Sequence, residues 1–508
     1  MSGIEIKRLR QEGMLDEALN MAKEELDNAP ADEWAKRNLA WVYDNYCKKY
    51  AEEGNIQAFD DSVCALIELG INESESMLIN SMGWRFRSML SFVEKVEDKD
   101  EQIHLIDRFF ELVRQFNFTK PSETYSVLFK SFLKYKDIWP SFKEFCQWWD
   151  FDNFRQDDYV CEVFSTGRKE SCCLVERAYI AYSKCLLQEN PKDTDTIKLF
   201  ISKLESLAEQ YPNMDYPGYF AGKLMLVLNE NSDDIVSTIR PFIQKKKNEF
   251  WAWQLLAEVV EEENRDLYLA SLLRAVKCKT KDDFLVKIRL KLVEELVKRK
   301  FYALAAQQLH LYCKTRLANN SSWKPSDEIR FFMGEKWYNH YQTSQQKTMP
   351  LDYMTLTNNV LYGDIPEQSC IVSFVNSEKN MVTVVYDYEK EGFFKYDSSL
   401  RPQIGMPLSI RVQQISQDGF MKIISASSSK EEHIELNYYK VLEGIVIYNT
   451  QKNIYSFKAD NIVCFIPPQL IEEYSLKKDQ IIKATVIYAF NKKKEKWMWR
   501  IIKVDIDA

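Results

Sequence analysis

The chain has 508 residues, of which 45% are hydrophobic and 28% are charged, with 14 glycines and 14 prolines. This length predicts three or four domains, and the composition excludes a disordered, collagenous or low-complexity chain. The formal net charge of −8 excludes a protein that coats nucleic acid through bulk positive charge, so a nucleic-acid site must be local.

Signals for catalysis, cofactors and metals are sparse. The 11 cysteines show no Cys-x-x-Cys spacing and the four histidines lie far apart, so neither a disulfide framework nor a zinc site is predicted. The segment Gly218–Lys223 resembles a phosphate loop but is one residue short and lacks the Ser or Thr that holds magnesium. The start of the chain has no apolar leader, and no apolar run approaches a membrane span. We therefore expect a cytoplasmic, non-enzymatic protein with no cofactor, no metal and no membrane contact.

Two regions leave an enzymatic alternative open. Residues 145–159 are dense in aromatic and acidic side chains, and Cys172 and Cys173 form an adjacent pair of possible nucleophiles. We interpret the aromatic rings of the segment as packing between helices, with its aspartates at helix caps or in solvent. We interpret the two cysteines as buried structural residues, since no histidine is near them in sequence.

From residue 4 to about 345, apolar residues recur at three- and four-residue spacing, which predicts helices. Near the N-terminus, the spacing of five residues matches a repeat of 34 residues. Its turn glycine, small residue at the helix crossing and closing proline are Gly13, Ala18 and Pro30, and the next helix begins with Leu39 and Ala40. This pattern resembles a tetratricopeptide repeat (TPR). A weaker match to the same repeat begins at Trp253, where a Trp-x-x-Leu-small motif occurs.

The resemblance implies an array of helix pairs, for which we predict two regions, 1–170 and 171–348. Such arrays present a concave surface that binds a protein partner. A helical scaffold without a bound partner stays open as the alternative. The basic runs Lys245–Lys247 and Lys298–Lys300 are interpreted as solvated helix ends.

From Gln368 onward, the chain is rich in Val, Ile, Tyr and Phe with two-residue alternation, which predicts strands. Residues 375–384 align with 448–457 at an offset of 73, and each segment carries a Lys-Asn pair where a hairpin tip is expected. We therefore predict two tandem five-stranded barrels, over 366–437 and 438–508.

The strand order resembles the oligonucleotide-binding (OB) fold. More narrowly, the segments 391–396, 443–446 and 464–470 are similar to the RNA-binding domain repeated in the largest bacterial small-subunit ribosomal protein and to its cold-shock relatives. The resemblance implies that bases stack on aromatic side chains of the second and third strands, while nearby cations contact phosphate.

In the second barrel, the matching residues are Tyr455, Phe457 and Phe465, with Lys452 and Lys458 alongside. We expect the three aromatic side chains to lie exposed together on one face of the sheet. A basic hairpin follows in the same barrel, composed of Lys492, Lys493, Lys494 and Lys496 next to Trp497. Lysines interleaved with aromatic residues are typical of single-strand binding.

The first barrel offers fewer such residues, namely Phe394 and Lys395 on its third strand. Local charge shows the same asymmetry: residues 438–508 hold 12 Lys and Arg against 8 Asp and Glu (+4), and residues 366–437 hold 7 against 10 (−3). The sequence thus favours an adaptor that binds a protein through its helices and single-stranded RNA or DNA through its barrels. The alternative is an interaction scaffold whose barrels bind no nucleic acid.

Overall fold

The structure is a computed structural model that describes residues 2–71, 75–161, 172–341, 350–396, 400–414, 421–429, 436–451, 453–491 and 494–505. The chain forms two compact units, Met1–Lys245 and Lys246–Ala508. The first unit is helical, and the second combines helices with two five-stranded sheets.

The described part of the first unit consists of α-helices, short 3-10 helices and the segments that connect them. The helices are α1 (Ser2–Gln11), α2 (Leu15–Asn28), α3 (Glu33–Glu53), α4 (Ile56–Glu68), α5 (Ser76–Val93), α6 (Lys99–Val113), α7 (Glu123–Phe132), α8 (Phe142–Trp149), α9 (Leu174–Gln188), α10 (Thr194–Gln210), α11 (Pro217–Val227) and α12 (Ser232–Lys245). Several begin at a polar side chain that accepts a backbone N–H of the first turn, which satisfies a donor that the helix itself leaves unpaired. These capping residues are Asp32, Asn55, Asp98, Ser122 and Asp193.

The repeat pattern at the N-terminus matches the geometry of the helix pairs. Gly13 has a positive φ of 78° in the turn between α1 and α2, a conformation that glycine adopts without steric cost. Ala18 and Ala40 are fully buried, and Leu39 joins the same core. Small residues let the paired helices approach closely, so the predicted helical array is confirmed over α1–α3.

The helical part of the second unit continues this architecture. Its helices are α13 (Phe250–Val260), α14 (Arg265–Lys277), α15 (Asp282–Lys298), α16 (Tyr302–Asn319), α17 (Asp327–Gly334), α18 (Lys336–Tyr341) and α19 (Tyr353–Tyr362). Trp253 is fully buried on α13 and carries the Arg274 guanidinium over its ring at 4.4 Å. Helix α19 packs against α14, so the last helix before the sheets adjoins the helical layer.

Two five-stranded sheets follow, as the alternation predicts. Barrel 1 consists of β1 (Gln368–Asn376), β2 (Met381–Asp387), β3 (Lys390–Lys395), β4 (Pro407–Gln414) and β5 (Met421–Ser428), in the order β3-β2-β1-β4-β5. Barrel 2 is closed in the order β10-β8-β7-β6-β9 and consists of β6 (Tyr439–Asn449), β7 (Ile454–Ala459), β8 (Ile462–Phe465), α20 (Pro468–Tyr474), β9 (Ile481–Asn491) and β10 (Lys496–Asp505). Asn380 and Asn453 have positive φ at the tips of the two predicted hairpins, so the duplication is confirmed.

The two barrels pack against each other through one face of β1 and β2. Ile371 and Val385 of barrel 1 form a buried cluster with Tyr438, Ile487 and Ala489 of barrel 2. The Tyr438 hydroxyl donates a hydrogen bond to the Ser369 carbonyl at 3.2 Å. Phe374 on β1 and Phe393 on β3 stay exposed beside this contact.

Among the residues that the structure describes, no helix combines the length and the apolar composition needed to cross a lipid bilayer.

Candidate nucleic-acid interface

The structure corrects the predicted aromatic site on barrel 2. Phe457 is fully buried in the barrel core, and Tyr455, two residues earlier on β7, packs against the same core. Residues two apart on a strand face the same side, so both rings belong to the interior face. Phe465 on β8 is 41% exposed. The expectation that the three rings lie together on an exposed face is therefore wrong.

The outer face of barrel 2 carries a different set of side chains. Lys458 lies exposed opposite Val463, which is 59% exposed, and Ser456 lies opposite Phe465 in the β7–β8 pairing. The residue of β6 that pairs with Ser456 is Ile447. Of the predicted residues, Phe465 and Lys458 thus share the outer surface, while Lys452 lies outside the described residues.

Barrel 1 holds the richer aromatic surface. Phe374 on β1 pairs with Thr383 on β2, and Thr383 pairs with Phe393 on β3. The two phenylalanines are 51% and 61% exposed, and they flank Thr383 on the outer face. We call Phe374, Thr383 and Phe393 the barrel 1 row.

Phe394, the predicted ring of barrel 1, is partly buried against the interior core. Its neighbour Phe393 points the opposite way because successive side chains alternate on a strand, and the predicted Lys395 is exposed next to it. The interpretation of barrel 1 as the poorer surface is wrong, since its third strand carries one ring inward and one outward. A β-bulge between Val372 and Phe374 turns the latter outward, and the sequence pattern contains no sign of it.

The second barrel repeats this arrangement with smaller side chains. Ile447, Ser456 and Phe465 are cross-strand neighbours on β6, β7 and β8, in the positions that Phe374, Thr383 and Phe393 hold in barrel 1. We call Ile447, Ser456 and Phe465 the barrel 2 row. Such a row of cross-strand neighbours forms a flat surface of apolar and polar side chains on which planar bases can stack.

Arg500 connects the strands that carry the two rows. It lies opposite Phe465 in the β8–β10 pairing, and its guanidinium donates a hydrogen bond to the carbonyl of Ser373, the residue before Phe374. Burial between the barrels lowers the pKa of Arg500, and the nearby Glu391 carboxylate opposes that shift. An arginine guanidinium stays protonated in proteins, so Arg500 adds a positive charge between the two rows.

The described residues of the predicted basic hairpin adjoin an aromatic cluster that joins the two barrels. Trp497 stacks on Tyr488 with ring centroids 6.0 Å apart, and Tyr488 stacks at 4.8 Å on Tyr388 of barrel 1. Lys494 and Lys496 are exposed beside these rings. Lys492 and Lys493 lie outside the described residues, so this hairpin contributes two described lysines to the aromatic cluster.

Of the two adjacent cysteines, both of which are buried, Cys173 does not have the environment of an activated nucleophile. The Cys173 sulfur accepts the backbone N–H of Glu176 at 3.4 Å and caps α9. Burial raises the pKa of Cys173 to about 11, whereas a nucleophilic cysteine needs a lowered pKa. Its position fits the structural interpretation.

The aromatic segment 145–159 forms a packed core. Trp149 is fully buried and stacks on Tyr125 at 4.7 Å. A cavity lined by Phe151 of this segment has a volume of about 200 Å³, which is below the roughly 300–1,000 Å³ of typical small-molecule sites. Lys203 at its edge is paired with Asp152 at 2.9 Å. Within the described residues, no three His, Cys, Asp or Glu side chains form a group that could hold a metal ion.

Comparison with known families agrees with the barrel geometry. Residues 362–424 match the family described as S1/CSD-like domain 1 of the TOTE conflict systems, and residues 442–504 match S1/CSD-like domain 2 of the same systems. The chain carries two S1/CSD-like domains. The resemblance inferred from strand order is confirmed, and the matches cover the strands that hold the barrel 1 row and the barrel 2 row.

The helical region has other similarities. Residues 215–353 match a family described as a domain of unknown function, DUF7017. The crystal structure of the P58(IPK) TPR domain is similar over 68% of this chain and 99% of that chain, with 13% sequence identity and a TM-score of 0.22. A search of curated proteins finds no match.

Proposed function

We propose that the chain binds single-stranded RNA or DNA on the outer faces of its two barrels. The observation that supports this proposal is the pair of equivalent rows. In barrel 1, two exposed phenylalanines flank Thr383, and in barrel 2, Ile447 and the exposed Phe465 flank Ser456. Stacking on such rings contributes about 1–3 kcal/mol per base and tolerates any base sequence. The matches to S1/CSD-like domains support the same function.

Charge near the rows also supports strand binding. Lys395 and Lys458 are exposed on the strands that carry the rows, and Arg500 lies at their junction. These cations offer phosphate contacts without requiring a basic protein overall, which agrees with the net charge of −8. Each phosphate contact in a single strand lowers the slope of log K against log salt concentration by about 0.7, so binding should weaken as salt rises.

The test uses the full chain and labelled 20-nucleotide strands of oligo(U) and oligo(dT), measured by fluorescence anisotropy at several salt concentrations. Replacement of Phe374, Phe393 or Phe465 by Ala should weaken binding about 5- to 150-fold each, which is the loss of one stacked base. A duplex of equal length should bind less tightly, because its bases are not free to stack.

Phe331→Ala is the matched control. Phe331 lies on α17 and is 65% exposed, close to the 61% of Phe393. The control should bind the strands with wild-type affinity. No measurable binding of either strand at low salt, or equal losses in Phe331→Ala and the row variants, would refute the proposal.

We further propose that the helical array binds a protein partner. Trp34 on α3 and Met77 on α5 are 65% and 73% exposed. The ion pair between Arg37 and Glu75, at 3.1 Å, joins the starts of these helices, so the two apolar side chains lie on neighbouring helices. Exposed Trp and Met are enriched at protein interfaces, which supports this surface as the contact.

A further inference from the structure

The second unit contains a large cleft between its helical layer and barrel 1. Its volume is about 1650 Å³. One wall comes from helices α14, α16 and α19, and the other comes from β3, β5 and the segment after β3. Strands β3 and β5 are the two edges of the barrel 1 sheet, so the cleft follows the line where that sheet would close.

Among the described residues that line the cleft, the charged ones are predominantly basic. Two are acidic, Asp352 and Glu391, and six are basic: Lys247, Arg274, Lys277, Lys395, Arg401 and Lys422. The Asp352 carboxylate is engaged in capping α19, where it accepts the backbone N–H and the hydroxyl of Thr355. Glu391 lies near Arg500 at the barrel junction. The excess of positive charge is local, since barrel 1 as a whole is acidic.

Three of these cations converge from distant parts of the chain. Lys247 precedes α13, Arg274 lies on α14 and Lys422 lies on β5. Burial, together with the like charges of Lys422 and Arg274, lowers the pKa of Lys247. The interpretation of Lys245–Lys247 as a solvated helix end is wrong for Lys247, which is half-buried. Like charges that line one cleft favour an anion between them.

We infer that this cleft binds the sugar–phosphate backbone of the same single strand that stacks on the barrel 1 row. The inference rests on the proposed function and extends the strand path from the barrel surface to the helical layer. Phe393 links the barrel 1 row to the cleft, because it belongs to the row and also lines the cleft. A positively charged groove next to stacking rings is the general arrangement of single-strand sites.

The dimensions of the cleft favour a polymer over a small molecule. Its volume of about 1650 Å³ exceeds the roughly 300–1,000 Å³ of small-molecule pockets. An acidic protein segment carries the same sign of charge, but it would not use the exposed ring at the cleft edge for base stacking. The helical layer therefore contributes to strand binding through Lys247 and Arg274.

The experiment compares two double variants of the full chain by anisotropy with 20-nucleotide oligo(U) across a salt series. Lys247→Gln with Lys422→Gln removes two cleft charges. Lys287→Gln with Lys298→Gln removes two exposed charges from α15, which is described along its whole length and contributes no residue to the cleft. The cleft pair should reduce the magnitude of the salt slope by about 1.4, twice the 0.7 of one phosphate contact, and weaken binding about 25-fold at 0.1 M salt. The α15 pair should leave both quantities unchanged.

Each other outcome has a separate meaning. If the wild-type chain binds no strand, the proposed function fails, and the cleft inference fails with it. If the wild-type chain binds but the cleft pair keeps its slope and affinity, or loses no more than the α15 pair, the cleft inference alone is overturned. A cleft pair that loses polyglutamate binding while retaining wild-type oligo(U) binding would also overturn it, and would indicate an acidic protein ligand.

Discussion

Phe457 and Phe465 lie eight positions apart in sequence, yet they have opposite environments in barrel 2. Phe457 is fully buried, and a Cβ on Gly444 would lie 2.8 Å from its ring, so the ring fills the space above that glycine. Phe465 is on the outer face and 41% exposed. Replacing each by Ala therefore separates a contribution to stability from a contribution to binding.

The magnitudes follow from burial. Removal of a fully buried Phe ring costs about 3–5 kcal/mol, because the transfer energy is lost and a cavity remains. This cost accelerates amide exchange through barrel opening about 10²- to 10⁴-fold. Phe465→Ala should cost less than about 1 kcal/mol of stability but should weaken strand binding about 5- to 150-fold.

Hydrogen-exchange mass spectrometry of the full chain measures the first effect on peptides from β7 and β9, and anisotropy with oligo(U) measures the second. Phe457→Leu keeps most of the volume and should recover most of the protection. The reasoning would be refuted if Phe457→Ala retained wild-type exchange protection while it abolished strand binding, since the ring would then act at the surface.

Two further predictions concern the first unit. We expect a stoichiometric polypeptide to co-purify with the wild-type chain from its native cells, and Trp34→Ala should abolish this co-purification. The stability of the unit should not change, because Trp34 is 65% exposed. Retention of the polypeptide by the variant would exclude this surface as the contact. Cys173 should react slowly with iodoacetamide at pH 8, because a pKa of about 11 leaves about a thousandth of the thiol ionised. The rate of alkylation should rise about tenfold per pH unit up to pH 10. Peptide mapping measures the rate, and rapid alkylation at pH 7 would contradict the assignment of Cys173 as a structural residue.

The alternation on β7 predicted correctly which side chains share a face, but the prediction of which face is the outer one was wrong. Tyr455 and Phe457 alternate with Ser456 and Lys458, so the alternation already separates an aromatic face from a polar one. The family resemblance implied that the aromatic face is the outer surface, whereas the closed barrel uses these rings to fill its interior. Polar alternation on β7 was the signal that identifies the outer face.

Barrel 1 shows the same distinction. Two adjacent phenylalanines on one strand must point to opposite faces, so the sequence implied that one of Phe393 and Phe394 is outside. The packing of Phe394 against the barrel 1 core selected which one. The outward turn of Phe374 depends on a bulge, which arises from pairing with β2 and has no local sequence signature here.

Periodicity and repetition alone determined the helical array, the change to strands near Gln368 and the duplication of the barrel, because these features depend on contacts between residues close in sequence. The cleft depends on tertiary structure, since Lys247, Arg274 and Lys422 come from separate elements that meet when the helical layer packs beside barrel 1. Charges that far apart in the chain interact only after folding brings them within Coulombic range, so composition could show an acidic chain but not a basic cleft.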